Sequence, residues 1–463
     1  MQKKYDVVVI GSGLGGLTVA NCLGRNGHSV LLAEQHNQFG GLATYFYRKK
    51  HLFDVSLHGF PVGMKKSLRK YWSQEIANHI VQLKGIRFDN PQFSLKTVFD
   101  SDDFKKILCE KFEVSRETAD EFYAYLGAMN YYDRNDMTNR DLFEKFYPRR
   151  NDIWRLLMEP MTYANGSTLD EPAITYGIVF SNFMSKGVFT FEGGTDLMLK
   201  MMLEKLEENG VDCQKCLKAE KINIADGRIS GVVLNGKEVK CKAVVSNGNL
   251  LTTVKDYIGI ENFSTEFVSK IKDVKLNTSS SQVYIGLTPG EKIDYIGDLL
   301  FTSTCPEYSP EAILDKNITS RTFSVYYPST RPDSPKDYTI VASMNSKYED
   351  WEGLSDEDYK QKKKDMIEET LDALEKYLPE IRGKIDYLGA ATPKTFKRYT
   401  LHEGGASFGT KFEGLEVSQG LSEEIPGAFH TGSVGIIMSG WLGAANYGAI
   451  TAHFVDKYLS VVR

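Results

Sequence analysis

Cysteine is scarce in this chain, with six in 463 residues. That count, scattered as it is, excludes a disulfide framework. Cys213 and Cys216, in "VDCQKC", form the one close pair. A zinc site would need a second pair, and on a strand these two thiols would point to opposite faces. Basic excess is also missing. The 56 Lys and Arg are outnumbered by 61 Asp and Glu, for a formal charge of -5. No field for nucleic acid results, and that partner class is set aside. Long apolar runs are absent too, since a membrane span needs ~18 or more consecutive apolar residues. The nearest stretch, 432–452, is broken by glycines and polar side chains and reads as buried backbone. Near the start, the apolar run Val7–Ile10 is too short for a secretion signal and flows straight into a glycine turn. A cytoplasmic protein is expected, with peripheral membrane contact left open.

What is present describes a globular protein: 41% hydrophobic and 25% charged residues, long enough for two or three domain-sized units. The opening "YDVVVIGSGLGGLTVANCLGRNGHSVLLAEQ" reads as strand, glycine turn, helix and strand ending on an acid. Gly11, Gly13 and Gly16 make the G-x-G-x-x-G spacing: the first permits the turn, the second lets backbone approach a pyrophosphate, the third lets helix pack on strand. The helix from about Leu14 to Leu23 then turns free N–H groups toward the phosphates. Glu34, eighteen residues after Gly16, is placed to accept from adenosine ribose hydroxyls and to repel a 2′-phosphate. NAD and FAD share that end, so this unit alone does not choose between them.

Later segments do. Gly40 and Gly41 are paired in "GGLATYF", where the chain of glutathione-reductase-like flavoproteins passes the pyrophosphate and leads under the flavin. Residues 191–249 parse as a helix (about Thr195 to Asn209), a strand, hairpins through "ADGR" and "NGKE", and a strand "KAVVSN". Near the end come a strand, Ala428 to Thr431, a glycine-dense crossing, and a helix from about Trp441 whose N-terminus suits a polar, partly anionic ring edge.

These segments together resemble the phytoene desaturase, carotenoid isomerase and retinol saturase family of FAD-dependent oxidoreductases. Locally, "FDVSLHGFPVG" from Phe53 and "TPKTFKRYTLHEGGASFG" from Thr392 are most similar to the saturase and isomerase branches. The chain departs from the family pattern at Gly432-Ser433, where Gly-Asp is usual, and at Leu42, where a basic residue is common in the desaturase branch. The resemblance implies an α/β fold, a Rossmann-like FAD-binding domain with an inserted α+β substrate domain. The FAD domain would comprise 1–60, 190–275 and 405–463, and the substrate or cap domain 61–189 and 276–404. Residues assigned to FAD are Gly11, Ser12, Gly13, Leu14, Gly16, Glu34, Gln35, Gly40, Gly41, Leu42, Lys221, Asn247, Gly432, Ser433, Gly440, Trp441 and Leu442.

The first insertion is dense in aromatics, "EFYAYLGAMNYY", "LFEKFY", "IWRLLMEPMTY" and "FSNFM", which fits either a tunnel for a long apolar ligand or a plain core. In the second, a helix is expected over Asp356 to Leu378, capped by Ser355 and buried along Ile367, Leu371, Leu374 and Leu378. "KKSLRKYW", Lys65 to Trp72, reads as a solvated helix end or a site of contact with anionic headgroups. No second G-x-G-x-x-G follows another strand, so electrons would be exchanged with a transient donor or acceptor, unless the flavin turns over without net redox change.

The resemblance implies saturation, desaturation or isomerisation of double bonds in a long hydrophobic polyene or lipid. His58 is the candidate for proton transfer, because the motif match places it near the flavin. Tyr447 and the His402–Glu403 pair are secondary candidates. Two other readings share the architecture: an amine-oxidase-like flavoenzyme, and a non-catalytic escort of lipidated partners.

Overall fold

A computed structural model describes residues 4–129, 136–183, 186–331 and 337–462. The opening unit folds as strand β1 (Lys4–Ile10), helix α1 (Leu14–Arg25) and strand β2 (Val30–Ala33). Farther along the chain, β3 (Asp212–Gln214), β4 (Ala219–Ala225), β5 (Arg228–Leu234), β6 (Lys237–Ser246) and β7 (Ala428–His430) join the same sheet. Its order is β3-β2-β1-β6-β5-β4, with β7 also on β6. The central pairs β3–β2, β2–β1, β1–β6 and β6–β7 are parallel, while β4, β5 and the first half of β6 form an antiparallel meander. β6 is shared between the two patterns: Lys240 pairs Gly231 antiparallel, and Val244 pairs Ala428 parallel.

The β1 run "VVVI" has no polar alternation because both faces are covered. Val7 and Val9 pack with the α1 residues Leu17 and Ala20, whereas Val8 and Ile10 face a second cluster with Leu31, Val244 and Leu415. The final helix, α2 (Gly440–Val461), lies against α1. Glycines allow that approach: a Cβ on Gly448 would sit 2.4 Å from the Gly15 carbonyl oxygen.

A second seven-stranded sheet has the order Ile385–Ala391, Ser279–Leu287, Thr339–Ser346, Ser320–Tyr326, Leu299–Ser303, Ile86–Asp89 and Ser94–Thr97. One face packs Val283, Ile285, Leu300, Phe323, Ile340 and Ala342 against the helix Asp356–Glu375. That helix is capped as expected, the Ser355 hydroxyl accepting from Asp358 N–H at 3.1 Å. Of its expected stripe, Leu371, Leu374 and Leu378 are buried and Ile367 is partly so, and Met366 and Thr370 join them. The Thr370 hydroxyl is satisfied inside, donating to Met366 O at 2.7 Å and accepting from Arg321 Nε at 3.2 Å.

The helices Ser101–Phe112, Arg116–Ala128, Asn139–Phe146, Asn151–Asn165 and Ala173–Phe183 form the aromatic-rich layer. Phe122, Phe143, Tyr147, Tyr176 and Phe180 are buried in one cluster, so most of this aromatic density is core. The last three residues of "EFYAYLGAMNYY" and Met184 lie outside the described residues. The hairpin Tyr45–Arg48/His51–Asp54 is tied to both layers by a buried ion pair between Asp54 and Arg331. Asp54 also accepts from Thr195 N–H at 2.9 Å, and Arg331 donates to Leu52 O at 3.1 Å. All six cysteines are free, and the described residues hold no group of His, Cys, Asp or Glu arranged for a metal ion. No described helix is long and apolar enough to cross a membrane.

Candidate active site

One cavity of about 830 Å³ starts at the β1–α1 glycine turn and reaches the second sheet and the helical layer. Gly11 opens the turn with φ +88°. Gly13, Gly40 and Gly41 line the cavity with bare backbone. Side chains there would collide: a Cβ on Gly41 would lie 3.0 Å from Gly13 Cα, and the Gly13 and Gly40 backbones already form a bridge. Gly16 stands behind the turn and off the cavity, where a Cβ would be 2.1 Å from Gly11 O. Its role is the helix–strand contact that its spacing implies.

Glu34 is buried and held from two sides. Its Oε2 accepts from Ser12 N–H at 2.9 Å and from the Ser12 hydroxyl at 2.5 Å, and its Oε1 from His36 N–H at 2.9 Å. The carboxylate is thereby fixed beside the turn with lone-pair capacity remaining. Asn247 reaches the turn from the end of β6, its Oδ1 accepting from Gly16 N–H at 2.9 Å. Gly432 follows β7 and lies against the same turn, a Cβ on Gly15 falling 3.3 Å from its nitrogen; Ser433 and, at the start of α2, Gly440, Trp441 and Leu442 continue the lining. Trp441 is positioned by its indole N–H, which donates to Ser56 Oγ at 3.1 Å, and by stacking on Phe60.

Of the seventeen residues assigned to the cofactor from sequence, all but Gly16 and Lys221 line this one cavity. Lys221 is a correction: it sits exposed on β4, and Leu217 and Ala219 reach the cavity in its place. His36, Asn249, Thr252, Tyr257 and Tyr399 also line it and were not anticipated. Tyr399 falls within the "TPKTFKRYTLHEGGASFG" stretch without having been singled out, and the others come from the loop after β2 and the short helical turns after β6. The basic "KKSLRKYW" forms a helix, Gly63–Tyr71, whose Lys66 and Lys70 lie at the cavity wall.

His58 lines the cavity beside the second sheet. Its Nδ1 is 2.8 Å from Ser324 Oγ, and its Nε2 lies 3.2 Å from Gln282 Nε2 and 3.4 Å from Ser343 Oγ. Burial lowers its pKa to about 4, so it is neutral at pH 7. With the Gln282 amide donating to Nε2, the ring proton sits on Nδ1 and goes to Ser324. Tyr447 is not at the cavity. Its hydroxyl bonds Ser418 at 2.6 Å, in a buried network with His430. His402 does line the cavity, but Glu403 is at the surface, 3.4 Å from Lys255. Across from His58, the helical layer supplies Pro160, Met161, Tyr163, Ala164, Ile178 and Val179. That small set is the part of the aromatic-rich insertion that meets a ligand space.

The residues present fit a dinucleotide. Bare glycine backbone, a helix N-terminus and a fixed carboxylate stand in the order that pyrophosphate and then ribose require, and further glycine backbone at Gly432 and Gly440 lines the same cavity. Residues 9–74 match the family model of an NAD(P)-binding Rossmann-like domain. Over the whole chain the fold is similar to putrescine oxidase bound to putrescine, with a TM-score of 0.65 at 14% identity, covering 99% of both chains. Fold and site thus define a Rossmann-like dinucleotide-binding unit within an architecture like that of putrescine oxidase. In sequence, the chain is 24% identical to a prolycopene isomerase of Daucus carota, across 87% of this chain and 72% of that protein. It is 23% identical to an all-trans-retinol 13,14-reductase of Danio rerio, across 88% and 78%. Over most of its length the chain is thus similar to a carotenoid isomerase and a retinol reductase.

Proposed function

We propose that the protein is an FAD-dependent enzyme that saturates, desaturates or isomerises carbon–carbon double bonds of a long, mainly apolar chain. The observation that carries this reading is the continuity of one cavity from the glycine turn and Glu34 to the apolar wall of Met161, Ile178 and Val179. A cofactor that ended at a nicotinamide would need no glycine-dense crossing behind it. When bound, the flavin supplies or accepts the hydride. The glycine turn and α1 would hold its pyrophosphate, Glu34 its adenosine ribose, and the first turn of α2 with Trp441 the ring end. The helical wall excludes water, and neutral His58, its two ring nitrogens engaged by Ser324 and Gln282, closes the sheet side.

The prolycopene isomerase and retinol reductase relatives act, by name, on polyenes, which supports the same substrate class. The test is anaerobic. Purified protein carrying chemically reduced flavin is mixed with candidate polyenes and acyl chains. Reoxidation of the flavin by one of them identifies a reductase, and a rearranged double bond with unchanged flavin identifies an isomerase. A protein that stays colourless after reconstitution with FAD would overturn the proposal.

A further inference from the structure

The second sheet has one largely apolar face and one mixed face, and the mixed face is the one turned to the cavity. Adjacent strands place Phe301, Thr322, Ser343 and Gln282 in a single cross-strand row, and all four line the cavity. The next row on the opposite face, Leu300, Phe323, Ala342 and Val283, is wholly apolar. In a hydrocarbon passage the Thr322 hydroxyl of this row would stay without a partner, because a polar group buried against hydrocarbon loses hydration without compensation.

The row is fixed in orientation. Tyr284 donates its hydroxyl proton to Gln282 Oε1, which sets the amide. The amide nitrogen then donates to Val55 O at 3.0 Å and points toward His58 Nε2 and Ser343 Oγ. Thr322 and Ser343 thereby present hydroxyls to the cavity next to a neutral histidine. This wall carries no cation: among the described lining residues, the lysines are Lys66 and Lys70, both on the helix Gly63–Tyr71.

Resting on the lipid-chain reading above, we infer that the substrate bears a neutral oxygen, a hydroxyl or carbonyl, which hydrogen-bonds Thr322 and Ser343. A pure hydrocarbon would leave the Thr322 hydroxyl unpaired and give Ser343 no partner beyond Gln282 and His58, and a carboxylate would find no counter-charge on this wall. Discrimination of this kind is one-sided and large, because a site built to bond an oxygen penalises the analogue that lacks it.

The test measures binding of retinol and of geranylgeraniol to the flavin-loaded protein, each against its own deoxy hydrocarbon, by quenching of intrinsic fluorescence. At least one alcohol is expected to bind tenfold or more tightly than its hydrocarbon. In Thr322→Val/Ser343→Ala that ratio falls to threefold or less, through weaker binding of the alcohol, with flavin content unchanged. Hydrocarbon binding as tight as alcohol in the native protein would overturn the inference, as would a tenfold ratio that survives in the variant. Loss of flavin from the variant would also overturn it, by assigning the row to the cofactor. If flavin is retained and neither chain binds in either form, the lipid-chain reading itself falls, and the inference with it.

Discussion

Replacing Gly448 by alanine tests whether the α1–α2 crossing sets the shape of the cofactor site. The added Cβ would lie 2.4 Å from Gly15 O, 3.0 Å from its Cα and 3.1 Å from its carbonyl carbon. Ordinary contact begins near 3.4 Å, so the helices must separate by about 1 Å. All three obstructing atoms are backbone, and no side chain can swing aside. Overpacking of this kind costs about 1–3 kcal/mol, from which about 1 kcal/mol of improved helix propensity is recovered. A net loss of up to about 2 kcal/mol is expected in urea unfolding of the apoprotein. FAD affinity should fall more steeply, at least tenfold by flavin fluorescence, because the displaced element is the turn that meets the pyrophosphate. Gly127→Ala is the control: it lies exposed on the helix Arg116–Ala128 with nothing within 4 Å of a new Cβ, and it should gain about 0.5–1 kcal/mol. Unchanged stability and flavin affinity in Gly448→Ala would refute the claim that this contact is tight.

Two further outcomes concern buried charge. Arg331→Met strands the Asp54 carboxylate in the interior and should cost about 3–5 kcal/mol by urea unfolding, whereas Arg331→Met/Asp54→Leu should recover most of that loss. His430 is buried, and burial lowers its pKa to about 4; its ring accepts from or donates to Ser418 at 2.7 Å and bonds Gly248 O at 3.1 Å. Between pH 6.5 and 4 the unfolded chain takes up a proton that the native ring refuses, so stability declines as pH falls through that window, by up to about 3 kcal/mol. A pH series of unfolding midpoints should show this slope in the native protein and a slope smaller by one proton in His430→Gln.

The dinucleotide half of the molecule was legible because its signals are local and backbone-driven. The glycine spacing, the "ADGR" and "NGKE" turns and the crossing before α2 each demand a conformation that few sequences supply, and the turns fall between β4, β5 and β6 as expected. Lys221 failed for a geometric reason: the cavity is reached by Leu217 and Ala219 where the chain enters β4, before the exposed Lys221. The aromatic insertion was undecidable from sequence, since core and ligand wall are both apolar. Phe122 and Phe180 went to the first, Met161 and Ile178 to the second. The stripe of the helix Asp356–Glu375 held at Leu371 and Leu374 but missed Thr370, which reads as polar, yet its hydroxyl finds both partners inside. The polar row Thr322–Ser343–Gln282 was invisible for another reason: three strands distant in sequence must be placed in register before it exists.

Asn247 offers a test in which stability and binding should move in opposite directions. Its amide lies across the glycine turn: Oδ1 accepts from Gly16 N–H, and a Cβ on Gly13 or Gly15 would come within 2.6 Å of it. Asn247→Asp preserves the shape and the acceptor but adds a negative charge at the N-terminus of α1. The helix dipole favours that charge by about 0.3–1 kcal/mol, so the apoprotein should unfold at equal or slightly higher urea. A pyrophosphate seated on the same turn would meet a like charge, and FAD should bind at least tenfold more weakly. Because the penalty is electrostatic, part of it should return as salt is raised. Destabilisation of the Asn247→Asp variant without FAD would show that the amide nitrogen, not the acceptor, is what the turn requires. Undiminished FAD affinity would show that the phosphates do not lie on this turn at all.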